Sequence, residues 1–238
     1  MNESEFKGPM LVRLFGRSNT QVLSWLSAQA KVASEVAVLG YGDGIIIEEG
    51  AGPRVVGVFP EAFVAAFAHH KLTYDLSGAG IIIGVNEETR VIAASLSRLG
   101  LKRLFVVDAD DRKTEQMVQI LRRRLFGIDI QTVARVALTQ VPTEASVAVC
   151  LADPKEEALI EDISYLNFLK ERGLWIDWSG AGEETRLQDE VMSAGSETFS
   201  ANVIRAWRDA WLVATMTGQK PNELAERLAE RYKGLTSS

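Results

Sequence analysis

The side chains with the clearest chemical potential in this sequence are carboxylates that stand beside apolar runs. Glu61 precedes the apolar residues 63–67, where a carboxylate can act as a general base or can simply occupy the first turn of a helix. Asp108 follows the apolar residues 104–107, and an aspartate at the end of the second strand of a dinucleotide-binding unit holds the ribose hydroxyls. A solvated acidic turn that caps the next helix is the competing interpretation of Asp108.

A turn with one glycine separates an apolar run from an amphipathic one. Gly84 is followed by Val85, Asn86 and Glu87, at the start of the helical pattern of residues 87–99. Glycines in such a turn let the backbone approach a pyrophosphate, whereas a carboxylate in the first helical turn satisfies the helix dipole and repels a phosphate. The sequence therefore favours a well-capped helix that holds no nucleotide.

Other kinds of site have little support. Cys150 is the single cysteine, which excludes an internal disulfide. It lies in an apolar run, so we expect a small core residue. His69 and His70 are adjacent and cannot share one helix face as metal ligands. The formal net charge is −6, the pI is about 5.2, and the basic residues 122–124 predict a helix end, so we expect no nucleic-acid partner.

The length and hydropathy of the chain favour a two-lobed protein without a membrane segment. The 238 residues suit one large domain or two modest ones. No apolar segment approaches the roughly eighteen residues that span a bilayer, and the acidic residues 1–5 lack the basic region of a signal peptide. We therefore expect a cytoplasmic protein.

The first part of the chain predicts a small lobe. Residues 10–15 predict a strand, and the polar residues 18–20 then precede a helical pattern over residues 22–26. Residues 36–39 predict a second strand. Glycines then surround two further apolar runs, which favours a hairpin closed at residues 50–52.

From residue 76 onward, strand patterns alternate with helical ones. The predicted strands are residues 80–84, 104–107, 131–136, 147–151 and 174–177, and the predicted helices are residues 87–99, 113–126 and 158–172. Such alternation predicts a parallel sheet covered on both faces. The C-terminal residues are helical again, with a break at residues 218–221.

Five short segments, taken in order, carry a resemblance to a known family. They are residues 55–61, residues 76–107 with Gly84, Arg90 and Leu99-Gly100, residues 152–154, Asp177 with Thr185 and Leu187, and Thr217-Gly218 with Pro221. Together, over about residues 45–221, they resemble the motifs of shikimate dehydrogenases. The resemblance implies an α/β fold with a small, shortened N-terminal lobe (residues 1–75), a Rossmann-like parallel-sheet domain (76–198) and C-terminal helices that return to the first lobe (199–238).

At the cofactor positions of this family the chain departs from the pattern. The resemblance places Gly84, Asn86, Arg90 and Asp108 at the cofactor site, but the glycine-rich turn Gly-Ala-Gly-Gly is lost. The arginine with which NADP-using members grip the 2′-phosphate is replaced by the acidic residues 108–111. We therefore expect no cofactor, and NAD rather than NADP if a nucleotide binds.

The catalytic and substrate positions also differ. The resemblance implies a catalytic lysine, but none occurs between residues 31 and 71, and Glu61 stands where the family has an aspartate. Ser18 and Thr20 correspond to a Ser-x-Ser pair that grips the substrate carboxylate, and Arg208 replaces a glutamine and can hold an anion. Helix capping explains the two hydroxyls equally well, and an exposed position on an amphipathic helix explains Arg208.

These substitutions favour a shikimate dehydrogenase-like protein that has lost the dehydrogenase reaction and acts as a binding or assembly module. The alternative is a divergent NAD-dependent oxidoreductase acting on shikimate, quinate or a related hydroxy acid, with Glu61 as base and Asp108 on the ribose. A small anionic ligand, a protein partner and a homodimer stay open as alternatives. Trp207 and Trp211, at helical spacing, can form an exposed stripe, but packing against the first lobe is favoured.

Overall fold

A small four-stranded sheet forms the first lobe. The computed structural model describes residues 9–14, 30–48, 50–140, 144–152, 167–178 and 186–235. The strands of this sheet are β1 (Met10–Arg13), β2 (Lys31–Val32), β3 (Gly44–Glu48) and β4 (Gly52–Val56), in the order β1-β3-β4-β2. β3 and β4 pair antiparallel, which confirms the predicted hairpin, and the helical pattern of residues 22–26 lies outside the described residues.

The segment after β2 is a helix, and the strand predicted for residues 36–39 is wrong. Helix α1 (Ser34–Leu39) buries Val36 and Leu39, which lie three residues apart on one helix face. Gly40 ends the helix in the left-handed conformation, with a φ of 63°. A short apolar run fits a strand or a helix by composition, so that only the spacing of its buried members separates the two.

A six-stranded sheet forms the second lobe, and all of its pairings are parallel. Its strands are β5 (Ala79–Ile83), β6 (Arg103–Val107), β7 (Asp129–Thr132), β8 (Ala145–Cys150), β9 (Leu169–Asp177) and β10 (Glu197–Thr198), in the order β10-β9-β8-β5-β6-β7. The central strands β5 and β8 are buried throughout, as expected for a sheet covered on both faces. This arrangement confirms the predicted Rossmann-like α/β architecture.

Helices cover the second sheet and connect it to the first lobe. They are α2 (Phe59–His69), α3 (Thr89–Arg98), α4 (Asp111–Arg124), a 3₁₀ turn (Arg135–Gln140), α5 (Arg186–Ser193), α6 (Ala201–Thr217) and α7 (Pro221–Leu235). The helix predicted for residues 158–172 is wrong from residue 169 onward, where β9 begins, and residues 153–166 lie outside the described part. No helix among the described residues is both long and apolar enough to cross a bilayer.

One hydrophobic core joins the two lobes. Phe63 and Phe67 of α2 share it with Ile82 of β5, Ile92 of α3 and Trp207 of α6. Trp207 is only 2% exposed. The packing predicted for the two C-terminal tryptophans is therefore confirmed, because the second of them is partly buried against the same core.

Candidate functional site

Gly84 shapes the turn that follows β5. Its φ is +86°, and a Cβ placed on it would lie 2.5 Å from the backbone N of Ala152 and 2.8 Å from the backbone C of Leu151. Distances below about 3 Å force backbone atoms apart, so glycine is the residue that fits beside the end of β8. The approach of two neighbouring strands therefore accounts for Gly84 without reference to a ligand.

Backbone N–H groups in this turn are bonded to other atoms of the chain. Four of them donate internally: Gly84 to the Val107 carbonyl at 2.8 Å, Val85 to Asp108 Oδ2 at 2.6 Å, Asn86 to Thr89 Oγ1 at 3.0 Å, and Glu88 to Asn86 Oδ1 at 2.8 Å. The side chains of Asn86 and Thr89 thus bond to backbone N–H groups of the turn just before α3. These four donors are not free to bind a phosphate.

Asp108 points into the protein, and its side chain is only 3% exposed. Its Oδ2 accepts from the N–H of Val85 and from Lys113 Nζ at 3.1 Å, and its Oδ1 accepts from the N–H of Asp110 at 3.0 Å. Asp110, not Asp108, caps α4, since its Oδ1 accepts from the N–H groups of Arg112 and Lys113. Asp108 is therefore a buried residue that holds the turn after β5 through hydrogen bonds, and the interpretation of it as a solvated helix cap is wrong.

Glu61 lies in the first turn of α2, away from this arrangement and in contact with another helix. It forms an ion pair with Arg98 of α3, and Arg98 also pairs with Glu35 of α1. Arg90 likewise reaches the first lobe, where its Nη1 donates to the carbonyl of Gly40 at 3.3 Å. Both candidate residues thus take part in contacts between helices of the two lobes.

A buried polar group of residues lies where the first lobe meets the carboxyl end of the parallel sheet. Trp178, which follows β9, donates from Nε1 to Glu88 Oε2 at 2.6 Å and packs edge-on against Phe59 at 5.4 Å. The guanidinium of Arg205 lies 4.8 Å from the centre of the indole ring. Trp178 is 3% exposed, so the indole fills the space between the lobes.

Arg208 belongs to the same group and is buried, although a solvent-exposed position was one interpretation of it. It is 5% exposed, with Nη1 4.0 Å from Glu88 Oε1 and Nε 3.3 Å from Asp209 Oδ1. Asp209 also accepts from Arg13 Nη1 at 2.6 Å. The charge of Arg208 is therefore met by carboxylates of the protein itself.

Sequence reasoning missed a deeply buried carboxylate of this region, Asp43, which is 2% exposed. Its Oδ2 accepts from the N–H groups of Val58 and Phe59 at 2.7 and 2.9 Å, whereas its Oδ1 is buried and finds no hydrogen-bond partner among the described residues. The pKa of Asp43 is raised to about 7, mainly by burial and also by the nearby carboxylates of Asp209 and Glu88, against the lowering effect of the two N–H groups. We call Tyr41, Asp43, Glu88, Trp178, Arg208 and Asp209 the junction cluster.

The structure brings together only part of the predicted site. Gly84 and Asn86 lie in one turn, Asp108 bonds to that turn from the end of β6, and Arg208 lies 4.0 Å from Glu88 of the same turn. Ser18 and Thr20 lie outside the described residues. A signal for the missed Asp43 was present, because this acidic residue stands between two glycines just before an apolar run.

Comparison with solved structures finds close similarity of fold at low sequence identity. Shikimate 5-dehydrogenase from Thermus thermophilus, in complex with shikimate, has a TM-score of 0.70 and 18% identity, over 94% of this chain and 78% of that chain. Quinate dehydrogenase from Corynebacterium glutamicum, in complex with NAD, has a TM-score of 0.76 and 16% identity, over 92% and 76%. The chain has the shikimate and quinate dehydrogenase fold.

The same fold also occurs in an enzyme with a different named substrate. Ligand-free 5-ketofructose reductase from a Gluconobacter strain has a TM-score of 0.69 and 16% identity, over 92% of this chain and 78% of that chain. No family model matches the sequence, and no curated protein matches it. The dehydrogenase-like fold therefore leaves the substrate open.

Proposed function

We propose that this chain is a divergent relative of shikimate dehydrogenases that does not transfer hydride with a nicotinamide nucleotide and acts as a binding or assembly module. The observation that carries the proposal is the internal bonding of the turn after β5. Four N–H donors of this turn and the Asp108 carboxylate already bond to the chain, so these groups are not free to receive a nucleotide.

The residues of this turn, as they are placed, do not fit a pyrophosphate. A phosphate that entered would have to replace several internal hydrogen bonds, each worth about 1 kcal/mol. It would also meet the carboxylates of Glu87 and Glu88, which lie in the turn itself. Like charges at short range in a partly buried setting repel strongly, and a 2′-phosphate would add the repulsion of Asp108 and Asp110.

The junction cluster supports the same proposal. Trp178, Arg208 and Asp43 are at most 5% exposed, and they occupy the region between the lobes. Two-lobed enzymes bind their substrates in such a region. A substrate would therefore have to displace the indole of Trp178 together with its bond to Glu88.

The second candidate, an NAD-dependent oxidoreductase, is favoured by the position of Asp108. This residue directly follows β6, at the carboxyl edge of the parallel sheet and beside the glycine turn, where an aspartate can receive ribose hydroxyls. Under this candidate, Lys113 and the N–H of Val85 would release the carboxylate when the nucleotide binds.

Thermal unfolding with and without nucleotides separates the two candidates. Each of NAD, NADH, NADP and NADPH would be added alone and then together with shikimate or quinate. A ligand at about a hundred times its Kd stabilises the folded state by about 2.7 kcal/mol, whether or not it is turned over. The shikimate 5-dehydrogenase from Thermus thermophilus, solved in complex with NADP(H) and shikimate, is the positive control. We expect a shift for that enzyme and none for this chain with any nucleotide.

Asp108→Asn and Lys113→Met complete the design. A shift with NAD that disappears in Asp108→Asn and grows in Lys113→Met would establish the second candidate and overturn the first. Formation of NADH or NADPH from the oxidised nucleotide by the unmodified chain, followed by absorbance with shikimate or quinate as the hydride donor, would overturn the first candidate directly.

A further inference from the structure

Asp43 connects the ends of three elements of the first lobe. Its carbonyl accepts from the N–H of Leu14 at 3.0 Å, after β1, and its own N–H donates to the carbonyl of Val56 at 2.9 Å, at the end of β4. Its carboxylate holds the N–H groups of Val58 and Phe59 at the start of α2. Helix α2 packs in turn on α3 and α6 of the second lobe. Asp43 therefore holds the start of a helix that packs on the second lobe.

The surroundings of Asp43 oppose a negative charge there. The titratable groups that act on Asp43 are Tyr41 from the same loop, Glu88 from the turn after β5 and Asp209 from α6. Arg13 of β1 acts on Tyr41 and pairs with Asp209, and Arg208 of α6 lies against Glu88 and Asp209. Arg13 and Arg208 lie against Asp209 and Glu88, so their charges are met by other carboxylates. At the start of α2 the N–H groups of Val58 and Phe59 reach Asp43, and both bond to the same oxygen.

We propose that Asp43 is a proton-operated latch of the lobe junction: with its proton in place the start of α2 stays docked, and ionisation makes local opening of the junction more frequent. The reason is that an ionised Oδ1 would be buried without a partner among the described residues and would face two carboxylates, whereas opening lets water reach it.

The direction of the pH effect follows from the proton affinities of the two states. Asp43 has a pKa of about 7 in the closed junction, against an ordinary value of 3.8 when it is hydrated. The closed state therefore binds the proton more tightly than the open state. The resulting stabilisation of the closed state is complete below the hydrated pKa of 3.8 and is lost as the pH rises to the closed-state pKa of about 7. Between about pH 4 and about pH 7 the opening equilibrium should rise about tenfold per pH unit, and it should level off above that range.

Residue-resolved hydrogen exchange on the full chain tests the latch. Protection of the Val58 and Phe59 amides, corrected for the intrinsic exchange rate, is expected to fall about fiftyfold from about pH 5 to about pH 7 and then to level off. The amides of Ile81 and Ile82 in β5 serve as the reference for global unfolding, and they are expected to stay better protected at every pH. Equal protection at both places would show that Asp43 meets water only on global unfolding, and it would overturn the proposal.

Two variants assign the pH effect to Asp43. Asp43→Asn keeps an oxygen for the N–H groups but cannot ionise, so the protection of Val58 and Phe59 should no longer change over this pH range. Glu88→Gln removes one facing charge and keeps an oxygen for Trp178, so protection should level off at a lower pH. If the first variant does not fold, the second carries the test. A pH dependence that survives Asp43→Asn, or a levelling point that Glu88→Gln leaves in place, refutes the latch.

Discussion

Replacing Gly84 by alanine should destabilise the protein for two separable reasons. A non-glycine residue at a positive φ costs about 1–2 kcal/mol. The new Cβ would also lie 2.5 Å from the backbone N of Ala152, and since backbone atoms cannot rotate away as a side-chain end can, the ends of β5 and β8 must move apart. Overpacking of this kind costs a further 1–3 kcal/mol, so we expect a total loss of about 2–5 kcal/mol.

Gly127 provides a matched control in the same lobe. Its φ is +75°, close to that of Gly84, but no heavy atom of the described residues lies within 4 Å of a Cβ placed on it. Gly127→Ala should therefore lower the free energy of unfolding only by the cost of the positive φ, about 1–2 kcal/mol. The gain from restricting the unfolded chain is common to both variants and cancels in the comparison.

Urea unfolding followed by tryptophan fluorescence measures both losses as free energies of unfolding. We expect Gly84→Ala to lose about 1–3 kcal/mol more than Gly127→Ala, with similar dependence on urea. Equal losses of unfolding free energy in the two variants would show that the backbone at the end of β8 moves aside without an energetic penalty. The explanation of Gly84 by strand approach would then fail, and a ligand would again be needed to account for a glycine at this turn.

Three further substitutions test the packing and the contacts between elements. Trp207→Ala removes a buried indole and should lower the free energy of unfolding by about 3–5 kcal/mol, and a loss below about 1 kcal/mol by urea titration would contradict its place in the core. Arg98→Met breaks the ion pairs with Glu35 and Glu61, which are partly exposed, so it should lower the free energy of unfolding by less than about 1 kcal/mol. This loss should be smallest in high salt, and a loss of stability in thermal unfolding that does not depend on salt would argue against the ion pairs. Asp110→Ala removes the cap of α4 and should cost about 1 kcal/mol, and an unchanged helix-end exchange rate would show that the cap is not needed.

The second lobe was the more predictable part of the fold. Strands buried on both faces appear in sequence as continuous apolar runs, which is how β5, β6 and β8 were found. The start of β9 was missed because residues 170–172 are polar and exposed or partly so, and Arg172 lies at a positive φ of 59°. The strand pattern becomes continuous only where both faces are covered, from Leu174 onward.

The candidate site was less predictable, because its properties depend on residues far apart in sequence. A carboxylate after a strand does not indicate whether it points outward to a ribose or inward to the N–H of Val85, as Asp108 does. The buried Arg208 likewise lies 4.0 Å from Glu88, which belongs to a different element. Such pairings arise from tertiary packing, and no local pattern records them.

The shared core bears on how the molecule unfolds. The chain passes from the first lobe to the second after α2, but the aromatic face of α2 packs against α3 and α6. Arg98 adds a connection in the same place, from α3 to both α1 and α2. A fragment that ended after α2 would expose Phe63 and Phe67 to water, and the remainder would lose part of the cover of its sheet. The two lobes are thus interdependent in folding, and heat or denaturant should melt them in a single cooperative transition.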